Sequence, residues 1–445
     1  MIFALTSVFG LAQSGDVFAA GGSVVAPQAA PTKLAPNAKT ANRSAAEVLA
    51  IYTQATNAQA SFSGTLFATA PQYVGGYVPG ELSTSARDSV LGQVKAYRNL
   101  VGLNYENITI EEAEMPNSQH CSNALAQIGQ LAHSFTPDQQ TAITAVLGAS
   151  NYISASTMAG KSNLAAAMSS NGSSSLYRSG VVTRIKSWID DTSNISTSMP
   201  VGHRTEIFSS RTQRIYFGSS DIVYIDNWYS IFSSIGSAGS ETTNTEKYYA
   251  WPSEGYFPIL AINEGQRWNI QVTGASSANS GSNPTVTLSF KNQTVAAESV
   301  LPETRGSEYV VSFKLPDSIR NAVAGSSSAY DNAGHADVTV RINGIKDASS
   351  SDVYAEYTVK LFKEVPVPIT GVTINEGSAA SLTAGGTKQL SVGFQPANTT
   401  DAKTVNWTSS NAKVASVSTN GLVTATGAGT ATITATSAAR PLLTA

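Results

Sequence analysis

The sequence predicts a multidomain chain, an α+β head followed by two all-β sandwiches. Three observations carry that expectation. Apolar residues recur at three- and four-residue spacing in several segments between about residues 44 and 189, the period of helices that bury one face. Between residues 205 and 225 the period shortens to that of strands, so helices and strands share one unit. From about residue 257 to 437 the segments alternate apolar and polar residues, with Gly, Ser and Asn between them.

Size and composition fit this reading. A chain of 445 residues exceeds what one core supports, so about three domains are expected. Apolar residues make up 42%, enough to bury cores throughout, while charged residues are only 13%, about half the usual share. Hydroxyl and amide groups must then solvate much of the surface, as in extracellular β-domains. The net charge of −3 leaves no basic footprint, so nucleic acid is not an expected partner. Cys121 is the single cysteine, which rules out an intrachain disulfide and a cysteine-based metal centre and points, for a secreted chain, to a bacterium. It is expected as a small buried residue on a helix.

The chain divides into a signal-like segment and linker (1–41), an α+β head (42–256), a β-sandwich (257–365), a second sandwich (366–437) and a tail (438–445). The apolar run from Ile2 to Leu11, followed by small residues at Ala19 and Ala20, reads as a secretory signal without a basic leading region. It is too short to span a bilayer, and no other stretch reaches that length, so no transmembrane segment is expected. Gly21 to Ala41, rich in Pro and Ala, reads as a flexible linker.

Within the head, Ala46, Leu49 and Tyr52 predict a short helix over 44–56. Val90, Leu91, Val94, Tyr97 and Val101 predict a longer one from 84 or 85, stopped by Gly102. Cys121, Ala124, Leu125, Ile128 and Leu131 predict a helix over 117–132, with His133 just past its end. Thr136-Pro137 starts another, because Pro fits the first helical position. Val182, Ile185, Trp188 and Ile189 predict a helix over 181–189. Thr205–Phe208, Arg214–Gly218 and Asp221–Ile225 are β-rich runs. The cluster Tyr248-Tyr249-Ala250-Trp251-Pro252 is expected to pack the junction between head and sandwich, since large aromatics dominate interface burial; stacking on sugar rings or clamping a peptide is the other reading.

In the first sandwich, the runs Trp268–Val272, Val286–Phe290, Val310–Leu315, Val338–Ile342 and Tyr354–Leu361 read as strands. The last unit carries Val405-Asn406-Trp407-Thr408-Ser409-Ser410-Asn411, then Val414-Ala415-Ser416-Val417. Asn420-Gly421-Leu422-Val423-Thr424-Ala425 and Gly429-Thr430-Ala431-Thr432-Ile433-Thr434-Ala435 follow. Asn420-Gly421 is a strong turn signal, because both residues tolerate positive φ. This succession resembles the bacterial immunoglobulin-like domain, group 2. The resemblance implies a spacer or adhesive module of a bacterial surface, without a catalytic site.

Residues from about Val90 to Gly218 resemble the CAP superfamily of cysteine-rich secretory proteins, antigen 5 and pathogenesis-related proteins. The likeness rests on motifs in order: Val94-Lys95-Ala96-Tyr97-Arg98 with Val101-Gly102-Leu103, Leu131-Ala132-His133-Ser134, Ser162-Asn163-Leu164, Trp188-Ile189-Asp190-Asp191, Gly202-His203-Arg204 and Tyr216-Phe217-Gly218. It implies an α-β-α sandwich whose cleft is lined by His133, Ser162, Asn163, Trp188, Asp191 and His203. In that family two His and two Glu line the cleft, and some members bind a divalent metal. Here both histidines stand, Asp191 replaces one Glu and Ser162 replaces the other. His133, His203 and Asp191 are therefore the candidate ligands of a metal such as zinc in an open site; the bland reading leaves the histidines bonding to loops and Asp191 capping a turn.

Catalysis is not expected from these residues. A Ser-His-Asp set drawn from Ser134 or Ser162 with His203 and Asp191 lacks a nucleophile elbow, and the adjacent Asp190 and Asp191 make a poor acid pair. Glu111, Glu112 and Glu114 read as a solvated charge run. The expectation is a secreted or surface-displayed protein whose head binds a cell-wall, lipid or host-surface ligand. Two alternatives stand beside it: a metal-dependent hydrolase of peptide or cell-wall material, and an adhesive rod whose cleft is vestigial.

Overall fold

The computed structural model describes residues 30–445 except 171–178, 195, 197, 226–227, 241–245, 326–333, 364–366, 398 and 400. The signal-like stretch lies outside the described residues.

Helix boundaries in the head follow local chemistry. Ser44 and Glu47 form a capping box, and the helix Ala45–Ala60 runs on from it. Ser83 caps Thr84–Leu100 by accepting from the Ala86 N–H. Met115–Ile128 ends four residues before the apolar stripe predicts, because Gly129 turns left-handed at φ +69°. Leu131, counted in that stripe, is consequently exposed. Thr136 and Gln139 box the start of Pro137–Leu147. The helix Ala149–Lys161 and the strand Asn163–Ser169 that follows it were not anticipated.

The head sheet runs Thr109–Ile110, Arg214–Ser219, Trp228–Ala238, Asn163–Ser169, with Val223–Ile225 paired to Trp228–Ala238. Strand residues alternate between its faces. Tyr216 and Phe232 share a core with Cys121 and Leu125 of Met115–Ile128. Ile215, Phe217 and Ile231 share the other with Ile185 and Trp188 of Val181–Asp190. Helices thus cover both faces of one sheet. Thr205–Phe208, expected as a β-rich run, is instead the helix Gly202–Ile207 and its end.

The middle unit has a six-stranded sheet built on His335–Lys346 and Asp352–Phe362. A four-stranded sheet has the order Glu298–Arg305, Glu308–Lys314, Trp268–Val272, Tyr248–Trp251. The segment expected as a loose linker is built into this unit from residue 32: Thr32 and Lys33 pair in parallel with Val353 and Tyr354. Tyr248–Trp251 and Gly255–Pro258, on the head side of the expected boundary at 256, also pair into its sheets. One continuous cluster of buried residues extends from Leu34 to Phe362, so head and sandwich bury their apolar surface together.

The last unit pairs Gly371–Ile374 with Val392–Gln395, and Val405–Ser409 with Ile433–Ser437. Leu422–Ala425 lies between Thr387–Gln389 and Ala415–Val417. Only Gly421 of the Asn420-Gly421 pair takes positive φ, at +81°, with its N–H donated to Ser418 O. A small separate cluster contains Ile369, Val372 and Phe394. The expected tail folds back: Ala435 and Ala445 exchange backbone hydrogen bonds of 2.9 and 3.0 Å. Among the described residues no helix is long and apolar enough to cross a membrane.

Candidate functional site

The site is set by the end of one helix. Val181–Asp190 stops where Asp191 adopts a left-handed conformation, φ +54°, and its N–H returns to Ser187 O. Aspartate tolerates this backbone better than most residues with a Cβ. The turn brings the Asp191 side chain, fully buried, against the start of Gly202–Ile207. Oδ1 accepts from His203 Nδ1 at 2.8 Å, and Oδ2 accepts the Arg204 backbone N–H at 3.1 Å. A carboxylate only accepts, so His203 carries a proton on Nδ1, and in the neutral ring Nε2 is left as the acceptor. The His203 side chain is 24% exposed, enough to meet a ligand.

Neighbouring candidates gather here in part. Asn163 Nδ2 donates to His203 O at 2.8 Å, tying the sheet edge to the helix start. Trp188 is buried and donates from Nε1 to Leu164 O at 3.2 Å, fixing the same edge from beneath. Ser162, buried, precedes Asn163 at the end of Ala149–Lys161. His133 is held apart: its Nδ1 lies 2.6 Å from Ala159 O on that helix. Among the described residues no three His, Cys, Asp or Glu side chains are gathered to hold a metal ion. The zinc set expected from His133, His203 and Asp191 is therefore not assembled: His203 bonds to Asp191, while His133 bonds to the Ala159 carbonyl. Among the described residues the His203 ring bonds to the Asp191 side chain, and no hydrogen bond joins it to Ser134 or Ser162.

The sandwich contributes residues that the sequence did not single out. Arg305, at the end of Glu298–Arg305, donates from Nη2 to Gly202 O at 3.0 Å and to Glu206 Oε2 at 3.4 Å. Its Nε lies 3.5 Å from Glu303 Oε1. The Glu303 side chain is 7% exposed, and burial pushes its carboxyl up to about 7; Arg305 opposes that rise and the Asp191 charge adds to it. No local signal marks this strand, since Pro302 and its charges read as a loop.

Beneath the dyad, Arg204 is fully buried and bonds to Ile189 O, Asp190 O, Arg267 O and Asn269 Oδ1. Its guanidinium lies 5.7 Å from the Trp251 ring centroid. Trp251, itself buried, also meets Tyr97 and Phe208 of the head and Phe257 of the sandwich. The aromatic cluster therefore packs the junction.

Comparison with known proteins bears on the other end of the chain. Residues 368–441 match the bacterial Ig-like domain, group 2. The C-terminal unit is a bacterial immunoglobulin-like domain. The head lies outside that match, and no curated protein matches the chain. Among solved structures, invasin, described as a bacterial integrin-binding protein, is 16% identical over 52% of this chain, with a TM-score of 0.15. The match spans 50% of the invasin chain. The N-terminal part of the bacterial S-layer protein SbsC is 10% identical over 90% of this chain and 98% of that one, with a TM-score of 0.14. At such TM-scores neither superposition bears on fold or function.

Proposed function

We propose that the chain is a secreted or surface-displayed bacterial protein with a CAP-type head that binds rather than catalyses, carried by β-modules. The observation that carries this reading is the Asp191–His203 pair, fixed at 2.8 Å beside Asn163. The CAP resemblance implies Asp191 and His203 as cleft residues, and Asn163 ties them to the edge of a sheet covered by helices on both faces. A partly exposed imidazole, when neutral and with its tautomer fixed, offers one oriented acceptor to a ligand hydroxyl or amide. The group 2 immunoglobulin-like domain at 368–441 supports a bacterial surface setting.

The test is binding of the purified full chain to bacterial cell-wall sacculi and to phospholipid vesicles, read by sedimentation. On this reading His203→Ala and Asp191→Asn weaken binding at least about tenfold, the loss of one oriented polar contact. Removal of residues 366–445 leaves it in place. Binding that survives both substitutions and disappears with residues 366–445 would assign recognition to the immunoglobulin-like domain instead.

A further inference from the structure

A cleft of about 270 Å³ opens where the head meets the sandwich, its lining distinct from Asp191 and His203. Arg211 reaches it from the loop after Gly202–Ile207, and Lys247 from the residue before Tyr248–Trp251. Thr273, Ser307 and Ser349 also line it, and among the described residues Asp347 is the one acid on its wall.

The charges are arranged for a guest. Neither Arg211 nor Lys247 has an acidic partner among the described residues. Asp347 is occupied by its own loop, accepting from the Ser349 and Ser351 N–H groups at 2.8 and 3.0 Å. Arg211 Nη1 lies 2.9 Å from where a Cβ on Gly306 would stand, so the guanidinium rests against the turn at Gly306. Lys247 is anchored through its carbonyl, which accepts from Thr273 N at 3.1 Å and Thr273 Oγ1 at 3.2 Å. Two cationic side chains on one cleft wall without an acidic partner leave positive charge that a bound anion would offset.

We infer that this cleft binds an organic phosphate, with Arg211 and Lys247 on the phosphoryl oxygens and the hydroxyls of Ser307 and Ser349 around them. A planar fork beside a point charge suits the several acceptor oxygens of a phosphoryl group better than a lone carboxylate. The volume corresponds to about nine waters at liquid density, room for more than a bare ion.

Calorimetric titration of the full chain with glycerol 3-phosphate tests the assignment, with inorganic phosphate and acetate as comparison probes. Saturable binding is expected that weakens with salt and falls at least about tenfold in Arg211→Gln and in Lys247→Gln. Lys247 is exposed, so Lys247→Gln keeps the fold and reads the charge alone. A wild-type chain that does not saturate, an affinity unchanged in Lys247→Gln, or equal binding of acetate overturns it. A synthetic poly(glycerol phosphate) bound more tightly per phosphate than the monomer identifies a polymer as the source; tighter monomer binding identifies a soluble ester.

Discussion

Asp191 and His203, twelve residues apart, are joined by a 2.8 Å hydrogen bond between a fully buried carboxylate and a partly exposed ring. The pair fixes the imidazole tautomer, and that is measurable. In ¹⁵N spectra at pH 8, His203 should show a protonated Nδ1 and a bare Nε2. In Asp191→Asn the amide donates to Nδ1, so the proton should move to Nε2. Identical spectra for the two proteins would show that the carboxylate does not set the tautomer. Asp191→Ala also strips the Arg204 N–H of its acceptor, and should lower stability by about 1–3 kcal/mol in urea unfolding.

Glu303 makes the junction sensitive to pH. A carboxyl raised to about 7 from an ordinary 4.5 keeps its proton in the native state where the unfolded chain has lost it. The native state therefore binds more protons between those values, and stability falls as pH rises through that window. The loss is on the order of 3 kcal/mol once pH passes 7. Arg305 and Asp191 are the charges facing the group, and both are already reflected in that rise. Glu303→Gln should be more stable than the parent at pH 8 and indistinguishable at pH 4. Parallel stability profiles for the two proteins would refute the assignment.

The same residues show what a sequence displays and what it hides. Trp188, Asp191 and His203 were legible because helix period and short motifs are local, and the fold joins them over a few turns. Glu303 and Arg305 were not, because their importance comes from a strand about a hundred residues away docking on Gly202 and Glu206. The strands around 268, 286, 310, 338 and 354 were visible as alternation, whereas Thr32–Lys33 was read as linker because two residues of parallel pairing leave no period. Tyr248–Trp251 was assigned to the head for a similar reason: all four residues are buried, so it does not alternate. His133 was legible as a histidine near a helix end, yet only three dimensions show it bonded to Ala159 O.

Head and sandwich should unfold together. They share one buried cluster, and Arg204 ties Ile189 and Asp190 of the head to Arg267 and Asn269 of the sandwich. Scanning calorimetry should give one large transition for residues 30–362 and a separate small one for the immunoglobulin-like domain. Arg204→Met keeps the stem but leaves Ile189 O, Arg267 O and Asn269 Oδ1 without this donor, while Asp190 O keeps Gln266 Nε2, a loss on the order of 3 kcal/mol. The large transition should then drop in temperature and split. An unsplit transition at the parent temperature would mean that the shared apolar core alone couples the two.

Gly218 sets how closely the helix Met115–Ile128 lies on the head sheet. A Cβ there would stand 2.5 Å from Ser118 O and 2.7 Å from Ser118 C, both backbone atoms of that helix. Nothing flexible can yield, so Gly218→Ala must push the whole helix outward. Ser118 and Ser122 would then lose their 2.9 Å hydrogen bonds to Ser234, and Cys121 and Leu125 would lose packing against Tyr216 and Phe232. Overpacking of a close-packed interior typically costs about 1–3 kcal/mol, and the disrupted serine cluster adds to it. The expected readout is a lower urea midpoint together with reactivity of Cys121 toward a thiol reagent, since burial now pushes that thiol up to about 12. A buried thiol of that kind is inert in the parent. An unreactive Cys121 and an unchanged midpoint in Gly218→Ala would mean that the helix and sheet are not in the contact described.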